Sequence, residues 1–183
     1  MKIRVKSKWN KKDKERTPKE IGSALAFNLW RIAGANVLHI ENEGFQTDTQ
    51  HQRLDVIAEL LAFFVHVVDR MASEREYTEQ DRSDLITAVA LSLSKTMHDN
   101  RRDIESEGDF KEGFVALLNE RMAEYSEFSF EGDEPGFQMR RRCGDYVTNV
   151  MGEKDKKWIT DQVMDIEIPD ALKTFKKVAR SLM

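Results

Sequence analysis

Apolar residues recur three and four positions apart along most of the chain, which is the spacing of helices that bury one face. Capping signals divide this pattern into helices. A helix start is marked by an N-cap Thr or Asp with an acidic residue or Gln three positions later, or by a proline in the first turn. Predicted starts lie at or next to Thr17, Thr47, Thr78, Asp109, Pro135, Asp155 and Pro169. Predicted ends lie near Ile40, Ser73, Ile104, Phe128, Gly152 and Leu182. The pattern therefore predicts six or seven helices.

The second predicted helix has the widest apolar face. At 100° per residue its apolar side chains cover about 200° of the circumference, roughly twice the width of the apolar stripe on a surface helix. These side chains are Leu54, Val56, Ile57, Leu60, Leu61, Phe63, Phe64, Val65, Val67, Val68 and Met71. We predict that this helix lies at the centre of a bundle or is buried further by a second subunit.

The first predicted helix is also rich in apolar residues. Its segment from Ile21 to Ile40 follows a basic stretch, as a membrane anchor would, but it is interrupted by Asn28, Arg31, Asn36 and His39. A central arginine costs about 2.5–3.5 kcal/mol on membrane-insertion scales. We therefore expect a helix buried in protein, and no membrane as a partner.

Composition favours an all-α protein over turn-rich β folds. The 183 residues include only 3 Pro and 9 Gly, while 34% are charged and 40% are hydrophobic, which suits amphipathic helices with charged outer faces. This length corresponds to one domain of ordinary size. We predict a single-domain helical bundle over residues 17–183, preceded by a basic N-terminal arm over residues 1–16.

The arm and the rest of the chain carry opposite charges. The first 20 residues hold nine Lys or Arg and three acids, a charge of +6, so that the net charge of −4 leaves −10 for the remainder. Such an arm can bind nucleic acid, but its sign also favours contact with the acidic body or with a partner subunit. Alternating basic and apolar residues between Lys2 and Trp9 indicate a short extended segment.

The polar residues of the second helix form one stripe and supply the first candidate site. The stripe comprises Asp55, Glu59, His66, Asp69 and Arg70. The simplest interpretation is the solvated face of a mostly buried helix, with His66 hydrogen-bonded to Asp69. Alternatively, His66 and Asp69, three residues apart, bind a metal ion or handle a proton, or the stripe contacts a second subunit.

A His98–Asp99 doublet supplies the second candidate. Together with His66 and Asp69 it would provide ligands for a divalent metal, and a His–Asp doublet also serves this purpose in the HD-domain phosphohydrolases. Here the doublet is followed by Asn100, Arg101 and Arg102, whose cations oppose metal binding, so membership of that family is not inferred. The metal-binding bundle or metal-dependent hydrolase is kept as an alternative function.

Basic residues of the last helix supply a third candidate. They lie on one face and comprise Lys173, Lys176, Lys177 and Arg180. With the N-terminal arm they would form a nucleic-acid surface, although cations near a helix C-terminus are also favoured by the helix dipole alone. The isoelectric point of the chain is near 5.7, so nucleic-acid binding is a weaker interpretation of this stripe than a solvated helix face.

No phosphate-binding glycine motif or nucleophile motif occurs in the chain. The sequence therefore favours a soluble, non-catalytic protein-interaction module that forms a homodimer or binds another protein, without a cofactor. Cys143 is the single cysteine, so no intrachain disulfide can form, and a cytoplasmic location is expected.

Overall fold

Helices make up most of the computed structural model, which describes residues 16–152 and 156–183. In chain order they are α1 (Pro18–Asn42), α2 (Gln50–Ser73), α3 (Glu79–Arg102), α4 (Lys111–Tyr125), α5 (Phe137–Val150), α6 (Lys156–Gln162), a π-helical segment (Val163–Glu167) and α7 (Ile168–Leu182). Two short antiparallel strands, β1 (Phe130–Glu131) and β2 (Glu134–Pro135), join α4 to α5. The predicted all-α class is confirmed. Apart from Arg16, the predicted arm lies outside the described residues.

Threonine side chains cap the starts of α1 and α3 as predicted. The hydroxyl of Thr17 accepts a hydrogen bond from the N–H of Glu20, and the Glu20 carboxylate accepts one from the N–H of Thr17, which completes a capping box. At α3 the hydroxyl of Thr78 accepts from the N–H of Asp81. These bonds satisfy backbone donors that have no partner inside the helix.

The start of α2 differs from the prediction by two residues. Thr49, rather than Thr47, is the N-cap, and its hydroxyl accepts from the N–H of Gln52. The hydroxyl of Thr47 instead donates to the carboxylate of Glu41 at the end of α1. Both threonines satisfy the local capping pattern, and the tertiary contact with Glu41 distinguishes them.

Two later helix starts are also displaced. Asp109 does not cap α4, because its carboxylate accepts from the N–H of Lys111 and the helix begins only at that residue. Pro135 does not open α5, which begins at Phe137, since the proline is buried in β2. The chain reverses between the strands at Gly132, whose positive φ of 67° suits a two-residue hairpin turn.

The last two predicted helices form one continuous helical run over Lys156–Leu182, through the π-helical segment. The N–H of Ile168 bonds to the carbonyl of Val163, five residues earlier, in place of the usual four. Pro169 accounts for the wider turn, because it lacks an N–H and its ring would clash with the preceding turn of a regular α-helix. The predicted cap Asp155 lies outside the described residues.

Helix α2 lies at the centre of the fold, as its wide apolar face predicted. It packs against α1, α3, α4 and α5, and every residue from Val56 to Val68 is buried. Phe63 meets Phe64 and Tyr125 edge-on, with ring centroids 5.4 and 5.9 Å apart. The wide apolar face is therefore buried within one chain, without a second subunit.

Helix α1 lies directly against α3 at a glycine. A Cβ atom on Gly22 would fall 2.7 Å from the carbonyl oxygen of Leu85 and 2.8 Å from the Cβ of Ala88, so only glycine allows this approach. The opposite situation occurs at Gly34 on the same helix, where an added Cβ would meet nothing within 4 Å. No described helix, α1 included, is long and apolar enough to cross a membrane.

We predict opposite effects for alanine at these two glycines. Gly34→Ala should stabilise the fold by about 0.5–1 kcal/mol, because alanine loses less backbone entropy in a helix. Gly22→Ala should destabilise it by about 1–3 kcal/mol, because the new methyl group forces α1 away from the α3 backbone. Urea unfolding of both variants measures the difference, and equal stability of the two would contradict the close packing of α1 on α3.

Candidate functional site

The polar stripe of α2 faces arginines of the neighbouring helix. Arg101 Nη2 lies 2.5 Å from Asp55 Oδ1, and Arg82 holds both carboxylate oxygens of Asp69 at 2.7 and 2.6 Å. Both arginines belong to α3, so these pairs fix α3 antiparallel to α2. The predicted hydrogen bond between His66 and Asp69 is wrong, because Arg82 occupies the carboxylate.

Glu59 and Arg121 form the most buried ion pair of the stripe. The guanidinium of Arg121, on α4, holds Glu59 through Nε at 2.8 Å and Nη2 at 2.9 Å, and the Glu59 side chain is only 4% exposed. The guanidinium also lies over the ring of Tyr146, 3.5 Å from its centroid. The interpretation of this stripe as a solvated face is therefore wrong for Glu59.

His66 is buried without a hydrogen bond at either ring nitrogen to any part of the chain that the structure describes. Its ring lies among aromatic side chains, 6.0 Å from Tyr125 and 6.1 Å from Phe130 between centroids. Burial lowers the pKa of His66 to about 4, although the charge of Asp69 acts in the opposite direction. The imidazole is therefore neutral at pH 7.

The second histidine candidate lies at the other end of the α2–α3 interface. His98 Nδ1 accepts a hydrogen bond from the N–H of Phe110 at 3.2 Å, and His98 is one turn from Arg101, which pairs with Asp55. Asp55 and His66 are eleven residues apart on α2, or about 16 Å along the axis.

The structure thus does not bring the four metal candidates His66, Asp69, His98 and Asp99 together. Within residues 16–152 and 156–183, no group of three or more His, Cys, Asp or Glu side chains is arranged to hold a metal ion. Asp69 is also engaged by an arginine, which competes with any cation for its oxygens. Metal binding by these residues stays a prediction.

The basic stripe of α7 is only partly open. Lys176 lies 3.1 Å from Asp133 and 2.8 Å from Glu134, so the hairpin neutralises the middle of the stripe. Its other members, Lys173, Lys177 and Arg180, are exposed. Nucleic-acid binding through this stripe and the arm stays a prediction.

Cys143 is not placed as a nucleophile. The thiol is fully buried, and burial together with the charge of Glu59 raises its pKa. The preceding Arg142 pairs with Glu124.

A groove between α1 and α7 forms a site that sequence reasoning did not identify. The two helices run antiparallel, since Arg16 donates to the carbonyl of Ser181 while His39 contacts Glu167. The groove has a volume of about 430 Å³. Its lining includes all four residues that interrupt the apolar pattern of the first helix, namely Asn28, Arg31, Asn36 and His39. Their alignment on one helix face was the available sequence signal.

The π-helical segment supplies the buried polar end of this groove. Glu167 is 2% exposed, and its Oε1 lies 2.7 Å from His39 Nδ1 and accepts from Gln162 Nε2 at 2.9 Å. Asn36, also buried, donates to the backbone carbonyl of Glu167 at 3.4 Å. The hydrogen bond and the charge of Glu167 raise the pKa of His39. Perturbed pKa values and π-helical turns are both frequent at functional sites.

The outer face of α1 and α3 carries exposed apolar side chains. Phe27, Leu91 and Leu38 are 65%, 61% and 53% exposed. The two helices meet beside these residues. The hydroxyl of Ser92, next to Leu91, donates to the hydroxyl of Ser23, one turn before Phe27, at 3.5 Å. We call this surface the α1–α3 face and define it by the exposed residues Ser23, Phe27, Arg31, Ala35 and Leu38 of α1 and Leu91 and Lys95 of α3.

We predict that Arg121→Met destabilises the protein by about 3–5 kcal/mol, because it leaves the Glu59 carboxylate buried and unpaired. Replacing both partners, in Glu59→Leu with Arg121→Met, should recover most of this loss. A control is Arg53→Met, whose more exposed pair with Glu41 should contribute only about 1 kcal/mol or less. Urea unfolding measures all three, and a double variant no more stable than Arg121→Met would contradict this account.

Acidification should destabilise the fold through His66. Above pH 6.5 the folded and unfolded states are both neutral at this residue, and as the pH falls from 6.5 to 4 only the unfolded state gains the proton. The expected loss at pH 4 is about 3 kcal/mol relative to pH 7. His66→Phe should remove this part of the pH dependence, while effects of carboxylates remain common to both proteins.

Unfolding free energies of the wild type and His66→Phe at pH 7 and pH 4.5 test this prediction. Equal losses in the two proteins would show that His66 is not a buried neutral group.

The groove and the α1–α3 face are thus two surfaces whose side chains are not explained by packing among the described helices. Comparison with known proteins gives no matching family model, no similar curated protein and no similar solved structure. The function must therefore be inferred from this chain's own residues.

Proposed function

We propose that the protein is a non-catalytic helical interaction module that forms a homodimer through the α1–α3 face. The observation that carries this proposal is the exposure of Phe27, Leu38 and Leu91 on one side of the molecule. The carboxylates of α2, which a catalytic or metal function would use, are instead engaged by arginines.

The composition of the face supports the proposal. Of its seven residues only Arg31 and Lys95 are charged, and the exposed charges of Lys19, Glu20 and Asp99 lie at its border. Depletion of charge, with an aromatic and an arginine retained, is typical of the centre of protein–protein interfaces.

The size of the face suits a weak dimer. From Ser23 to Leu38 the face is about 22 Å long, and two adjacent helices are about 20 Å wide with their side chains. The resulting area of about 450 Å² is below the roughly 800 Å² per partner of a standard interface and fits association at micromolar concentration. A second copy, which presents the same apolar face, is the occupant that we propose. We further propose a cytoplasmic location, since the single cysteine is a buried thiol.

Sedimentation velocity over a concentration series tests the homodimer. We expect the wild type to dimerise at tens of micromolar and the variants Phe27→Glu and Leu91→Glu to weaken the dimer at least about tenfold, because each places a charge in an apolar interface. Trp158→Glu is the matched control, since Trp158 is 58% exposed but belongs to α6. A wild type that remains monomeric at about 50 μM, or equal weakening by Trp158→Glu, would overturn the proposal.

A further inference from the structure

We propose that a pocket between α2 and the start of α4 binds a neutral aromatic molecule of one or two rings. The pocket has a volume of about 370 Å³, within the range of about 300–1,000 Å³ that is usual for small-molecule sites. An apolar cavity of about 150 Å³ is large enough for benzene, so this pocket has room for a ring with substituents. The inference is independent of the homodimer, because the residues that line the pocket do not belong to the α1–α3 face.

The start of α4 supplies an aromatic wall. Its lining residues are Phe110, Gly113, Phe114 and Leu117. They are three and four positions apart, so they lie on one helix face. Ala58 of α2 and Val150 of α5 complete the apolar lining. Aromatic rings pair edge-on or with an offset and gain more than their buried area alone provides, so a wall with two phenylalanines favours an aromatic ligand.

The ring of Phe110 is held in place by the chain itself. The N–H of Phe110 donates to His98 Nδ1 at 3.2 Å, and the two ring centroids lie 6.1 Å apart. The ring also lies against Gly108, where an added Cβ would fall 2.8 Å from Cζ of Phe110. Because this wall is already ordered, a ligand that stacks on it loses little affinity to the ordering of side chains.

Gly113 keeps the pocket open. A glycine inside a helix is destabilising relative to alanine, so its presence there calls for a reason. Close packing of helices supplies that reason at Gly22, but an added Cβ at Gly113 would meet no atom of the described chain within 4 Å. A larger side chain at this position would stand on the lining face of α4, between Phe110 and Leu117, and would occupy the space that we assign to the ligand.

The charges around the pocket favour a neutral ligand. Four charged residues line it, and each has a partner within the described chain. Asp55 pairs with Arg101 at 2.5 Å, and Glu59 is held by Arg121 of α4. Asp109 accepts a hydrogen bond from the first N–H of α4, where the helix dipole is positive. A charged ligand would therefore lose hydration without gaining an unpaired counter-charge, whereas a neutral ring avoids this penalty.

Titration of the full-length protein with benzyl alcohol, followed by backbone amide NMR, tests the site. We expect saturable shifts at the lining residues, with the millimolar affinity usual for so small a ligand. Benzoate and benzylamine are similar in size but carry opposite charges, and each should bind at least about fivefold more weakly. Cyclohexylmethanol, which lacks the aromatic ring, should bind at least about twofold more weakly.

Two leucine variants of α4 provide the matched comparison. Gly113→Leu should weaken benzyl alcohol at least about tenfold, because the new side chain fills the pocket. Gly113 is exposed and leucine is the better helix former, so this variant should fold normally. Ala116→Leu adds leucine at another exposed position of α4, outside the pocket lining, and should leave binding unaltered.

The proposal is overturned by an absence of saturable shifts up to about 50 mM benzyl alcohol, or by shifts confined to other surfaces. Equal binding of benzoate, benzylamine or cyclohexylmethanol would overturn the assignment of a neutral aromatic ligand. Weakening in Ala116→Leu equal to that in Gly113→Leu would overturn the placement of the site.

Discussion

Three carboxylates on the central helix constrain how the rest of the chain packs. Glu59 lies within the stretch of α2 that is buried from Val56 to Val68, so its carboxylate must find a cation or incur a desolvation penalty of several kcal/mol. Asp55 and Asp69 flank this stretch and are partly exposed, so their pairs contribute less energy but add direction. The cations come from α3, which pairs with Asp55 and Asp69, and from α4, which pairs with Glu59. Because an ion pair is directional where apolar packing is not, these contacts select one register of α3 and α4 on α2. The apolar face of α2 provides most of the burial, and its polar stripe specifies the arrangement.

The central position of α2 determines what α1 can expose. Helix α1 lies against α3 through Gly22 and against α7 through the pair of His39 with Glu167, so that one stripe of its surface faces outward. The π-helical segment before Pro169 places Glu167 at the α1 side of the last helix. Polar residues of α1 thus line a groove, while Phe27 and Leu38 remain on the outer face.

The sequence predicts those features that depend on neighbouring residues. The caps at Thr17 and Thr78 and the central burial of α2 follow from local spacing, and the structure confirms them. Features that depend on distant partners are missed: the choice of Thr49 over Thr47 depends on Glu41, and the fate of Glu59 depends on Arg121, 62 residues later. The groove was missed for the same reason, because the partner of His39 lies 128 residues away.

The dimer and the groove are connected through one residue. The original reason to expect a dimer was the wide apolar face of α2, and this face is buried within the chain, so the argument for self-association now depends on the α1–α3 face. Arg31 belongs to that face and also lines the groove. Its guanidinium lies over the ring of Phe27, 5.9 Å from the centroid, so this cation contacts the aromatic side chain on which the proposed dimer depends. A substitution at Arg31 would therefore change both surfaces at once, and only Phe27, Leu38 and Leu91 test the α1–α3 face separately from the groove.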